Sequence, residues 1–210
     1  MNSLTTPPVR RTQAERTATT IENLMHAAVD SLVEVGYART STQDICRRAG
    51  VSQGALFRHF PSRLAFMIVV ADYVGMQMVE QFTSRFLRVE QQQPTDLIGL
   101  ALNLARENTR SPLQHAWMEL VVAARTDRDL QAAIQPIWAK SQQKIRDQAR
   151  NLLPGLVDHI PDFDTAVEVV TMFYEGEAMN HVLNPLTDGD DRRAAWVGNF
   201  LRKMVSSNPA

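Results

Sequence analysis

Cysteine is almost missing from this 210-residue chain: Cys46 stands alone. No internal disulfide can form, and the expected setting is a reducing one, the cytoplasm. Long apolar runs are missing as well. The longest, Leu64 to Ala71, falls far short of the roughly 20 residues a membrane-spanning helix needs. The arginines near the amino terminus have no apolar segment behind them of the kind a secretion signal carries. Neither membrane nor export is therefore expected. The parts of common catalytic sites are also lacking. His26, His59, His115, His159 and His181 form no HExxH and no Cys-His spacing for zinc, and there is neither a glycine-rich phosphate loop nor a Gly-x-Ser-x-Gly turn. Glu175 and Glu177 are two apart, hence on different sides of a helix, a poor start for a di-metal site. No enzyme, metal or cofactor is expected, and no strand pattern, internal repeat or low-complexity tract beyond Gln91-Gln92-Gln93 interrupts the reading.

What is present is helical periodicity and an uneven charge. The net charge of −1 hides a division: residues 1–66 hold eight arginines and five acids, a local +3, which leaves −4 for the remainder. A basic amino-terminal part suits a polyanion even when the total is neutral. Residues 1–11 are polar, with Pro7 and Pro8, and read as a flexible arm. Thr12 with Glu15 fits a capping box opening a helix whose apolar stripe is Ile21, Leu24, Met25, Ala28 and Leu32, stopped by Gly36. Two very short helices follow, about Thr42–Ala49 (capped by Thr40 or Ser41) and Gln53 to about Phe60 (capped by Ser52), with Gly50 where positive φ is needed. Ile45, Ala49, Val51, Leu56 and Phe60 are assigned to core, and Cys46 to a small buried hydrophobe. Pro61-Ser62 opens a long helix, Arg63 to about Val89, and further helices are expected at 95–109, 112–124, 128–153, 162–184 and 190–206. The fold class is all-α with about nine helices.

The stretch from Gly36 to Phe60, GYARTSTQDICRRAGVSQGALFRHF, closely resembles the DNA-binding signature of the TetR family of bacterial regulators. The resemblance covers about residues 12–66. It implies a three-helix, homeodomain-like helix-turn-helix domain over 12–65 and a helical ligand-binding and dimerisation domain over 66–210. Independently of the resemblance, two helices joined by a tight glycine turn let the second lie in the major groove while the first spans the backbone. Ser52 at its tip suits a phosphate or base edge and Gly54 permits close approach. Gln53 can pair with adenine, and the Ala55 methyl can touch thymine. By analogy with the family, phosphate contacts fall to Thr42, Phe57, His59 and Arg63, with Arg47, Arg48 and Arg58 as further candidates. Phe57 stands where the family usually has tyrosine, and Arg63 where it usually has lysine. Phe57 and His59 equally suit packing within the short helix, and Arg47 and Arg48 equally suit a solvated surface.

One short reading helix makes too little contact for tight specific binding, so a homodimer on double-stranded DNA is expected. The last two helices are the candidate interface: Val169, Val170, Met172, Phe173 and Gly176 on one, and Val197, Phe200, Leu201, Met204 and Val205 on the other. The resemblance also implies a cavity for a small-molecule effector. Its candidate lining is Phe66, Tyr73, Met76 and His115, together with Trp117, Met118, Trp138 and Tyr174. A repressor released by its effector is the expected behaviour, and a ligand-independent DNA-binding protein with a filled carboxy-terminal core is the alternative.

Overall fold

In a computed structural model, residues 12–184 and 188–207 are described; the arm expected at residues 1–11 lies outside them. Among the described residues there are ten helices and no strand. The first is α1 (Gln13–Val35). Thr12 caps it by accepting from the Glu15 N–H while its own N–H donates to the Glu15 carboxylate at 2.7 Å, the reciprocal box read from the sequence. Its buried stripe contains Leu24, Met25, Ala28 and Leu32. Gly36 ends α1 at φ 76°, and a Cβ there would lie 2.8 Å from the Glu119 carboxylate, so both backbone and space call for glycine.

Next comes α2 (Thr42–Ala49), capped by Ser41. Thr40 instead takes a buried bond from Ser31. Gly50, left-handed at φ 67°, turns the chain into α3 (Gln53–His59), which Ser52 caps through the Ala55 N–H. Ile45, Leu56 and Phe60 are buried, with Ala49 and Val51 packed against them. Seven and eight residues are too few to hold a helix in water, so burial of these side chains on α1 and α4 is what keeps α2 and α3 formed.

After α3 run α4 (Arg63–Glu90), α5 (Leu97–Asn108), α6 (Pro112–Ala124) and α7 (Arg128–Leu152). They are followed by α8 (Pro154–Val157), α9 (Phe163–His181) and α10 (Asp188–Ser207). The count is therefore one more than expected. The addition, α8, is a single turn begun by Pro154, too short to show periodicity in a sequence. The long α4 packs on α7, α6 and α5, while α6 also lies along α1. One apolar cluster accordingly runs from Leu24 and Leu56 through Phe66 and Val70 to Trp117, Leu120 and Ile134. The short helices and the carboxy-terminal helices thus share a core. Smaller clusters lie further out, around Tyr174 with Leu102, and around Phe86 with Leu152.

Candidate DNA-reading helix and effector cavity

The outward side of α3 is open. Ser52, Gln53, Gly54, Arg58 and His59 are exposed, Ala55 is half-buried, and the Phe57 ring keeps 45% of its surface in solvent. An aromatic that exposed in a helix whose other side buries Leu56 is not core. His59 sets its ring edge-on to Phe60, 6.2 Å between centroids, and is still exposed. Thr42 is half-buried at the start of α2.

The arginines divide sharply. Arg58 has no ion pair or hydrogen bond among the described residues and lies on the exposed side of α3. Arg48 is tied inward, to Asp44 at 2.6 Å and to Glu34 at 2.7 Å, with only 21% of its side chain exposed. Arg47 also meets Asp44, at 2.5 Å, but is 70% exposed, so this pair is weak enough to exchange. Together Arg47 and Arg48 hold the Asp44 carboxyl down from 3.8 to about 2. Arg63 is committed elsewhere. Its guanidinium donates to the carbonyls of Tyr37 at 2.8 Å and Thr40 at 3.3 Å, and lies 4.2 Å from the Tyr37 ring centre. Within the chain, Arg48 thus braces α2 against α1 and Arg63 clamps the loop between them, which leaves both less free for a phosphate than Arg58.

A cavity of about 170 Å³ lies between α4, α5, α7 and α9. Its wall is overwhelmingly apolar, with Phe82, Phe86, Leu102, Ile145, Leu152 and Phe163 among it. Of the eight residues expected to line it, only Tyr174 does. Phe66 and Trp117 are buried in the shared core, and Tyr73 packs against that core with its ring edge-on to His26. Met76 and Trp138 are 45% and 44% exposed, His115 is on the surface, and Met118 is half-buried away from the cavity. The expected large side chains went mainly to the shared core, whereas the cavity lies beyond that core and is walled by a different set that includes Phe82, Phe86 and Phe163.

Two side chains unmarked in the sequence matter here, Gln114 and Glu175. Glu175 faces the cavity, where burial pushes its carboxyl above the ordinary 4.5 against an opposing hydrogen bond from Gln114. Glu177, two residues on, points the other way and takes Arg106 at 2.7 Å and Arg110 at 2.6 Å. The available signal was a pair of glutamates two positions apart late in α9, which a helix must send to different sides.

The expected interface divides too. Val170 and Leu201 line the cavity, Phe173 packs edge-on to Tyr174 at 5.0 Å, and Val197, Met204 and Val205 are half-buried in the Tyr174 cluster. Within the single chain these six pack largely against its own interior, because α9 and α10 also cover the cavity. Val169, Met172, Gly176 and Phe200 do point outward. They are joined by Trp196, 68% exposed and stacked on Phe200 at 5.7 Å, and by Met179.

A helix-turn-helix with a free second helix, carried on an all-helical body, defines a DNA-binding protein. A profile of bacterial regulatory proteins of the tetR family matches residues 24–68. An uncharacterized HTH-type transcriptional regulator of Mycobacterium tuberculosis is 36% identical over 193 residues, which are 91% of this chain and 97% of that protein. The HTH-type transcriptional regulator CymR of Pseudomonas putida is 32% identical over 140 residues, 67% of this chain and 68% of that one. Among solved structures, a TetR transcription regulator from Haloarcula marismortui has the same fold, with a TM-score of 0.63 at 16% identity, over 91% of this chain and 98% of that one. The chain belongs to the TetR family and is a DNA-binding transcriptional regulator.

Proposed function

We propose that the protein is a repressor that binds a palindromic operator as a homodimer and leaves it when a small molecule enters the cavity bounded by α4, α5, α7 and α9. Residues 12–65 would form the reading part and residues 66–210 the regulatory part. The observation that carries the reading is the open face of α3, where Gln53 stands ready for a base edge while Phe57, Arg58 and His59 flank it for the backbone. Dimerisation is supported by the outward apolar side chains of α9 and α10. A stacked Trp196 and Phe200 left in water is unfavourable, and a second copy related by a two-fold axis would cover both pairs at once. The same two-fold axis would set two α3 helices on successive turns of the duplex, roughly 34 Å apart.

Release by a ligand needs a mechanical link, and α6 offers one. Gln114 at its start faces the cavity, and Glu119 one turn later accepts the Tyr37 N–H at 3.0 Å, beside Gly36 and the loop that Arg63 clamps. A ligand acts only through a difference in affinity between two arrangements; one that shifts Gln114 would shift the support of α2 and α3 through this helix. The cavity favours this over a ligand-independent protein of the same fold, whose carboxy-terminal core would be filled.

The test is sedimentation of the full chain with DNA flanking its coding region. Two chains per symmetric site are expected for the wild type. Phe200→Glu should give monomers that lose specific binding while keeping their fold by circular dichroism. A persistent dimer in that variant would remove α10 from the interface, and one chain on an asymmetric site would overturn the reading.

A further inference from the structure

The cavity's charge is as informative as its shape. Its wall includes Asn108, Thr109, Gln114, Gln148 and Thr171, but among the described residues no arginine, lysine or histidine, and Glu175 is the one carboxyl among them that lines it. Most of the neutral polar groups are already spoken for. Asn108 donates to the Met78 carbonyl, Gln148 to Thr83, and Thr171 to the Val167 carbonyl. The cations nearest along α5 are turned away, because Arg106 and Arg110 converge on Glu177 on the opposite side of α9. The other recess, between α5 and α10, has its charges internally paired as Asp96 with Arg202 and Arg106 with Asp191. Glu175 therefore faces an apolar space with a neutral amide, Gln114, as its recorded partner and no ion pair among the described residues.

Accepting that this cavity is the effector site, we propose that it selects a compact apolar molecule carrying one positively charged nitrogen, an aryl- or alkylamine, whose nitrogen meets the Glu175 carboxylate beside Gln114. An apolar cavity of roughly 150 Å³ accommodates benzene, so about 170 Å³ suits one ring with a short chain. A carboxylate against an apolar wall is poorly solvated, and burial already drives its carboxyl toward the neutral form. An ammonium supplies the missing counter-charge and restores the ionised form. An alcohol fills the same volume without that gain. A carboxylate ligand adds a second negative charge where no cation is at hand, which places it last.

Three probes with one hydrocarbon and different heads separate these cases: phenylbutylamine, phenylbutanol and phenylbutyrate, titrated calorimetrically into the full chain at neutral pH. The amine is expected to bind about tenfold or more tighter than the alcohol, equivalent to one buried charge contact, with the butyrate weakest. Glu175→Gln should abolish the amine's advantage and leave the alcohol's affinity unchanged, which also certifies that the variant's cavity is intact. Equal binding of amine and alcohol, tighter binding of the butyrate, or an amine preference that survives Glu175→Gln would overturn the charge selection while leaving the cavity as the effector site. Binding of none of the three would overturn both. Should Glu175→Gln not fold, the ranking of the three heads on the wild type decides alone.

Discussion

The two ends of the molecule solve opposite problems. At the amino-terminal end the interior is filled, with Leu24, Ile45 and Leu56 wholly excluded from water, and Arg48 and Arg63 are bound inward, while one side of the short helix α3 stays open. At the carboxy-terminal end the helices are longer, yet their interior is incompletely filled and an acid faces the gap. Under the proposed function, the contrast teaches that rigidity and vacancy would both be put to use. A reading helix must be held to within a fraction of an ångström to place hydrogen bonds on base edges, whereas an effector site must leave volume and must be able to move.

The comparison breaks most visibly at the packing level. Leu56→Ala should destabilise the protein by about 2–5 kcal/mol in urea unfolding, since a filled core collapses poorly around a new void. Ala149→Leu, at the cavity wall, should change stability by less than about 1 kcal/mol because the added atoms enter existing space. The same variant should lose binding of the phenylbutyl probes. Equal costs at both positions would mean that the two interiors do not differ as described.

Next in size is the reading contact itself. Gln53→Ala should lower affinity by about 1–3 kcal/mol for one base pair in each half-site and leave other positions alone, as measured with a set of single-substitution operators. A uniform loss across all sequences would make Gln53 a backbone contact. Smaller again is the division among arginines. Arg58→Ala should make the dependence of binding on salt shallower by about one unit, as expected for a lost phosphate contact. Arg63→Ala should keep the slope and lower the melting temperature, because its partners are the Tyr37 and Thr40 carbonyls. The reverse pattern would return Arg63 to the phosphates.

The smallest effect concerns acid stability. Asp44 falls from an ordinary 3.8 to about 2 through its bonds from Arg47 and Arg48, so the unfolded chain takes up this proton before the folded one. The stability it contributes is complete above pH 3.8, declines as pH falls, and is lost once pH passes below about 2. Asp44→Asn should flatten the decline across that window in urea unfolding; an unchanged slope would show that the pair persists in the unfolded chain.

How much of this was legible beforehand depended on range. The helix-turn-helix was readable almost to the residue, because Thr12 with Glu15, Ser41, Gly50 and Ser52 act on backbone groups three or four positions away. The turn at Pro154 falls in the gap between the segments expected at 128–153 and 162–184, being too brief for any period to register. The cavity was legible only at Tyr174. Trp117 and Phe66 satisfied every expectation of a pocket aromatic, yet the neighbours that bury them come from α1, α4 and α6, and nothing within either residue's own helix distinguishes a wall from a core.

Local chemistry in the chain by itself was enough to determine an all-helical protein, the boundaries of its first four helices to within about a residue and Leu56 as the buried side of α3. Only the tertiary structure decided which arginines remain available, where the interior is left empty and which of two neighbouring glutamates faces that space. The reason is physical: a cap or a turn is settled by atoms a few residues apart, while a void and the charge beside it exist only once separate helices have met.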